Sequence, residues 1–177
     1  MFFGEKSTIL KVDNDLQHKQ AVDDLFAQMR AADNATNAEA AEMQLFAEIT
    51  KSGSPSIDLL MVEAMTDNQN GDLQTAYETL QTITQSAPMF AEGFNQKANV
   101  EYQLELKDDA FVDLQKTVAL EPRHFAAWAG LGAIYEERGD YKNALNAYKN
   151  SAYYNPNYDE ATRGIFRIET LTKGVIM

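Results

Sequence analysis

The stretch that decides the fold is residues 125–158, FAAWAGLGAIYEERGDYKNALNAYKNSAYYNPNY. Within it Trp128, Leu131 and Tyr135 stand at i, i+3 and i+7, a spacing that places them on one face of a helix. A Gly-Asp pair then interrupts the helical pattern, and Pro156 ends the following segment because proline lacks a backbone donor. The stretch therefore predicts two helices joined by a tight turn.

The same pattern recurs upstream at a fixed interval of 34 residues. The sets that keep this interval are Pro88, Pro122 and Pro156; Ala76, Ala110 and Ala144; Ala64, Ala98 and Gly132; and Leu60, Phe94 and Trp128. A fixed period of this length is the signature of a repeat array. Single repeats are too small to bury an apolar face alone, so neighbouring repeats stabilise each other.

The run Trp128-x2-Leu131-Gly132-x2-Tyr135, followed by Ala144-x3-Tyr148 and Pro156, resembles the tetratricopeptide repeat (TPR) pattern. The resemblance implies an all-α fold, a right-handed α-solenoid whose concave groove is lined by the first helix of each repeat. Residues 53–61 and 120–125 are also similar to short bacterial TPR proteins of unassigned role.

The period divides the chain into three TPR units, at 57–90, 91–124 and 125–158. We expect a degenerate helical repeat over 13–56, after a flexible N-terminus over 1–12. An amphipathic pattern over 159–177 predicts a C-terminal capping helix and tail that solvate the last repeat.

The second unit departs from the TPR pattern. Lys97 and Glu101 stand where the third unit has Leu131 and Tyr135. We expect looser packing or partial exposure at these two positions.

The 177-residue chain carries 27 acidic and 15 basic residues, a net charge of −12. This charge disfavours nucleic acid and bare anionic membranes as partners and attracts basic surfaces instead. The N-terminal quarter is especially acidic, which indicates either a solvated helical face or a docking patch for a cationic partner. No apolar run is long enough to predict membrane insertion.

The sequence predicts no enzyme activity, no cofactor and no metal site. It has no cysteine, no glycine-rich phosphate loop and only two histidines, His18 and His124, which are distant in the repeat register. We expect His124 to be a structural residue of an inter-repeat turn. The compartment stays open: cytoplasmic as the chain is numbered, or periplasmic if a signal peptide has been removed.

The TPR resemblance places the groove at positions 2, 5, 6, 9, 12 and 13 of each repeat. The candidate protein-binding residues are Met61, Met65, Asn95, Asn99, Tyr102, Ala133 and Glu136. The two methionines either form an adaptable apolar patch or pack against the N-terminal repeat. Asn95 and Asn99 belong to an amide row that either bonds a bound peptide or is merely solvated. The first helix of the third repeat carries alanines and a glycine at these positions. These small residues leave room for a partner helix or for the cap.

TPR co-chaperones that hold chaperone C-termini use a clamp of lysine, arginine and asparagine. The corresponding positions here are Met61, Met65, Gln96, Ala126 and Gly130. The resemblance therefore implies a groove without a carboxylate clamp, suited to a neutral, apolar or basic segment.

The leading hypothesis is a non-enzymatic adaptor or scaffold that binds a protein or peptide in the concave groove. One alternative is a permanent subunit of a larger complex, docked by its convex side or its acidic N-terminal repeat. Another is a carrier of a small molecule or lipid on the methionine patch. The partner's identity and the oligomeric state lie beyond the sequence.

Overall fold

The computed structural model describes the backbone of residues 3–174 and the side chains of residues 16–34 and 36–172. Within this range the chain forms nine helices and no strand, which confirms the predicted all-α repeat fold. The helices divide into two compact units, one ending at Ser54 and the other beginning at Pro55.

The first unit contains α1 (Phe3–Ala31) and α2 (Ala35–Ile49), which pack against each other. Asn34 caps α2, because its side-chain oxygen accepts a hydrogen bond from the Asn37 backbone N–H at 2.9 Å. The backbone of residues 3–12 lies in α1, and the flexibility predicted for residues 1–12 stays a prediction. The buried apolar residues of this unit are Val22, Leu25, Phe26 and Met29 of α1 and Ala38, Ala41 and Leu45 of α2.

The second unit contains three helix pairs and a final single helix. The pairs are α3 (Pro55–Asn70) with α4 (Leu73–Ser86), α5 (Ala91–Gln103) with α6 (Lys107–Leu120), and α7 (Phe125–Glu137) with α8 (Tyr141–Tyr154). The final helix is α9 (Asp159–Gly174). The three second helices begin 34 residues apart, so the sequence period is the period of the structure.

The turn inside each pair needs one residue in the left-handed region. Gly71 and Gly139 have φ values of 85° and 72°, which glycine adopts without strain. At the equivalent place in the second repeat, Glu105 adopts φ 61°. The same backbone hydrogen bonds close all three turns, so the geometry is kept even where the residue is unfavourable.

Close helix contacts form around the Tyr148 ring on α8. The ring is fully buried, and an added Cβ on Gly132 of α7 or on Gly164 of α9 would lie 2.7 Å and 2.5 Å from it, respectively. Ala161 and Ile168 of α9 are buried in the same cluster. The single helix α9 therefore packs as a cap on the last repeat.

The expectation of looser packing or partial exposure is wrong for Glu101 but holds for Lys97, whose side chain is partly exposed. Glu101 is completely buried, and Lys97 lies between it and Asp113 of α6, with its Nζ 2.9 Å from Glu101 Oε1 and 2.7 Å from Asp113 Oδ2. The Glu101 contact has ion-pair distance but lacks hydrogen-bond alignment, so neither Glu101 oxygen has a hydrogen-bond donor. In the core of the second repeat, charged side chains thus stand where the third repeat has apolar contacts.

Candidate functional site

The candidate site is the set of positions 2, 5, 6, 9, 12 and 13 on α3, α5 and α7, named here the first-helix face. Asn99 is exposed on it, and Met65, Asn95, Tyr102, Ala133 and Glu136 are half-buried. Met61 is different: only 1% of it is exposed, and it packs with Leu80, Ile83 and Val100. Met61 is therefore a core residue rather than part of a surface patch, and the half-buried Met65 packs against the same cluster.

An amide network joins α3 to α5 on this face. The Gln103 Nε2 group donates to Asn68 Oδ1 at 2.9 Å and to Asn99 Oδ1 at 3.0 Å. Both N–H groups of Gln103 are thereby used, and the side chains of the row are held in defined orientations.

A second network centres on Glu92, at position 2 of α5, of which only 2% is exposed. Its Oε1 accepts from Gln96 Nε2 at 2.6 Å and from Asn95 Nδ2 at 3.2 Å. Its Oε2 lies 2.7 Å from His124 Nε2, while His124 Nδ1 accepts from the Ala127 backbone N–H at 3.2 Å. His124 is thus the N-cap of α7, which confirms its predicted structural role.

A hydrogen bond also joins α5 to α7: Tyr102, at position 12 of its repeat, donates to Glu137. Lys107 joins this pair, with its Nζ 3.0 Å from Glu137 Oε2 and 5.1 Å from the centre of the Tyr102 ring. The hydrogen bond from Tyr102, together with Lys107, lowers the pKa of Glu137. The contact repeats the Asn68–Gln103 contact one repeat later, because both join position 12 to position 13 of the next repeat.

Glu136 is held by the cap. Arg167 of α9 donates two hydrogen bonds to the Glu136 carboxylate, from Nε to Oε1 at 3.0 Å and from Nη2 to Oε2 at 2.9 Å. The Tyr148 hydroxyl also donates to Oε2, at 2.8 Å. The Arg167 guanidinium and this hydroxyl lower the pKa of Glu136. The candidate residue Glu136 is therefore already occupied by the chain's own cation.

The small residues of α7 allow close packing within the chain. Ala129 is buried in one cluster with Ala161 and Ile168 of α9, so packing of the cap is the interpretation that the structure supports at Ala129. Gly130 instead faces α6, where a Cβ would meet the Leu114 side chain at 3.0 Å. The half-buried Ala133 remains on the first-helix face.

Metal and membrane features are absent from the part of the chain whose side chains are described. No group of three or more potential ligand residues lies close enough there to hold a metal ion. Nor does any described helix combine the length and apolar character that crossing a bilayer requires.

Known proteins share this repeat architecture. A TPR repeat-containing protein of Rhizobium etli is 27% identical over 147 residues, which cover 82% of this chain and 72% of that protein. The Sgt2 TPR domain of Aspergillus fumigatus superposes with a TM-score of 0.64 at 20% identity, covering 69% of this chain and 82% of the domain. The chain has the fold of tetratricopeptide repeat proteins. No protein-family profile matches it.

A peptide-bound structure also resembles this protein. The first TPR of Spaghetti (RPAP3) bound to the HSP90 peptide SRMEEVD superposes with a TM-score of 0.63 at 19% identity. The match covers 66% of this chain and 93% of that domain.

Sequence reasoning missed the polar contacts that organise the site. Glu92 and His124 are 32 residues apart, and Arg167 is 31 residues from Glu136. Neither separation equals the 34-residue period, so the repeat register alone does not pair these residues.

Proposed function

We propose that this TPR protein is a non-enzymatic adaptor that holds a segment of another protein in the concave groove, along the first-helix face. The observation that carries the proposal is the amide row of α5. Asn99 and Gln103 are exposed there in fixed orientations, a feature that folding of the helix pair does not require. The likeness to TPR domains, one of them bound to a peptide, supports the same interpretation.

The proposed ligand segment is neutral, apolar or basic. The HSP90 peptide SRMEEVD on the similar TPR domain contains three acidic residues. In this protein the clamp positions contain no lysine or arginine, and one of them, Met61, is buried in the core. An acidic C-terminal peptide would therefore meet no cation at these positions.

Affinity capture from the source organism tests the proposal. The chain and the double variant Asn95→Ala with Asn99→Ala are used as baits, and the bound proteins are compared by mass spectrometry. Gln115→Ala is the matched control, since Gln115 is an exposed amide on the second helix α6. The adaptor proposal expects the double variant to lose its partner and the control to keep it, with circular dichroism unchanged in both.

Size-exclusion chromatography of native extract adds a second criterion. An adaptor migrates partly as the free chain, whereas a permanent subunit always co-migrates with its complex. Constant co-migration, together with capture that the double variant leaves intact, would reject the adaptor proposal in favour of a built-in subunit.

A further inference from the structure

The core of the second repeat contains three charged side chains, named here the charge cluster: Lys97 and Glu101 of α5 and Asp113 of α6. Glu101 has no exposed surface, and only 8% of Asp113 is exposed. One period later, the equivalent positions hold Leu131, Tyr135 and Ala147. The charge cluster therefore does not follow from the repeat pattern.

The charge cluster is electrically balanced only while one of its carboxyls is protonated. The Lys97 Nζ group donates a hydrogen bond to Asp113 Oδ2 at 2.7 Å, and neither Glu101 oxygen has a donor among the described residues. The pair of Lys97 with Asp113 is neutral, so a proton on Glu101 keeps the whole cluster neutral. Loss of that proton leaves one uncompensated negative charge in the core, which is costly away from water.

The helices around α5 supply no cation that could compensate this charge. Helices α3, α4 and α7, all within the described part of the chain, contain no lysine or arginine, and their titratable residues are all acids or tyrosines. One of these, Tyr77 of α4, approaches the charge cluster, with its ring centre 5.7 Å from Lys97 Nζ. A phenol cannot become positively charged, so Lys97 remains the compensating group.

Helix α6 adds negative charge near Glu101 and no available positive charge. Its lysines are used elsewhere, because Lys107 pairs with Glu137 of α7 and Lys116 is exposed. The charge of Asp109 on α6 disfavours ionisation of Glu101 in the same way as that of Asp113. Three carboxyls therefore act on one lysine.

Glu101 is the member of the charge cluster that titrates near neutral pH. Burial raises the pKa of Glu101 to about 7, since the charges of Asp113 and Asp109 reinforce this effect and Lys97 only partly opposes it. Burial works against the charged form of Lys97 too, but the hydrogen bond to Asp113 and the contact with Glu101 outweigh it and raise the pKa of Lys97. Lys97 therefore stays charged while Glu101 changes its state.

We propose that the second repeat is a pH-sensitive switch. It is closed while Glu101 carries its proton, and it opens locally between α5 and α6 when Glu101 ionises, because opening brings the carboxylate into water. Each repeat contacts only its neighbours, so one repeat can open without unfolding the whole array. The switch does not depend on the adaptor function, although α5 also carries Asn95 and Asn99 of the first-helix face.

Hydrogen exchange followed by mass spectrometry tests the switch. Rates are compared at about pH 6 and about pH 8 and corrected for the pH dependence of exchange in unstructured peptides. Since folding raises the pKa of Glu101 from 4.5 to about 7, exchange through opening of the repeat should become about tenfold faster between these two conditions. Amides of α5 and α6 should show this acceleration, whereas those of α8 and α9 should change little.

Two variants of conserved shape assign the effect to the charge cluster. Glu101→Gln cannot ionise, so the acceleration in α5 and α6 should disappear. Asp113→Asn leaves Lys97 to balance Glu101 alone, so Glu101 should ionise at lower pH and the acceleration should again be lost. Glu63→Gln, at an exposed position on α3, is the matched control and should keep the acceleration.

Three results would overturn the proposal. Corrected exchange in α5 and α6 that does not change with pH would mean that Lys97 compensates both carboxylates. An equal acceleration in α8 and α9 would mean that the second unit opens as a whole and that the second repeat is no separate switch. An acceleration that persists in Glu101→Gln would assign the pH dependence to a different group.

Discussion

The Glu101 carboxyl has no exposed surface and no hydrogen-bond donor, and replacing it with glutamine tests how the second repeat tolerates buried charge. Burial, aided by the nearby Asp113 charge and opposed by Lys97, raises the pKa of Glu101 from 4.5 to about 7. The folded state therefore binds a proton that the unfolded state has already released between these two values.

The sign of the effect follows from this difference. Because the pKa is raised in the folded state, the folded state is favoured while Glu101 keeps its proton, and stability falls as the pH rises from about 4.5 to about 7. A shift of this size corresponds to about 3 kcal/mol above pH 7. Most of it, about 2 kcal/mol, should develop between about pH 5 and about pH 8. Glu101→Gln removes this dependence while keeping the side-chain shape.

Urea unfolding at several pH values measures the effect, followed by fluorescence of Trp128, the single tryptophan. The variant's unfolding free energy minus that of the unchanged chain should increase by about 2 kcal/mol between about pH 5 and about pH 8. Glu63→Gln, at an exposed position on α3, is the control for general charge effects. A difference that stays level or declines with pH would refute the reasoning, since it would mean that Lys97 holds the ionised carboxylate without penalty.

Three further changes test separate parts of the fold. Glu105→Gly should raise the unfolding free energy by about 0.5–1 kcal/mol, because Glu105 occupies a left-handed turn position where glycine is relaxed; urea unfolding measures it. Arg167→Gln removes the paired hydrogen bonds from the guanidinium to Glu136. The change should speed amide hydrogen exchange across α9 and leave exchange in α3 and α4 unchanged. Gly164→Ala should lower the thermal midpoint, because its Cβ would lie 2.5 Å from the Tyr148 ring and overpacking costs about 1–3 kcal/mol. An unchanged midpoint would contradict the close packing of the cap.

The repeat architecture could be predicted because it depends on local chemistry. Pro156 ends a helix and Gly139 adopts positive φ whatever surrounds them, so their spacing alone indicates the helix pairs. The positions of the Lys97 and Glu101 side chains in the core could not be predicted in the same way. Lys97, which lies beside Glu101, is held by Asp113 on the next helix. Polar residues at core positions indicate exposure only when no such partner exists.

The candidate site was predicted in outline but not in chemistry. The register put Asn95, Asn99 and Glu136 on the first helices, where the structure has them. It gave no information on which amide groups point outward, because that depends on Glu92 and Gln103. It also left open whether Met61 lies on the surface, because a position number does not reveal that Met61 packs in one cluster with Leu80 and Val100.

Site-specific photo-crosslinking tests the central claim most directly. A photoreactive residue is placed at position 99 on the first-helix face, or at position 115 on α6 as a control, and each protein is irradiated in extract of the source organism. If the first-helix face holds the partner, position 99 should give a discrete cross-linked band that position 115 lacks. Cross-linking from position 115 alone would contradict the claim and assign binding to the opposite surface of the repeats.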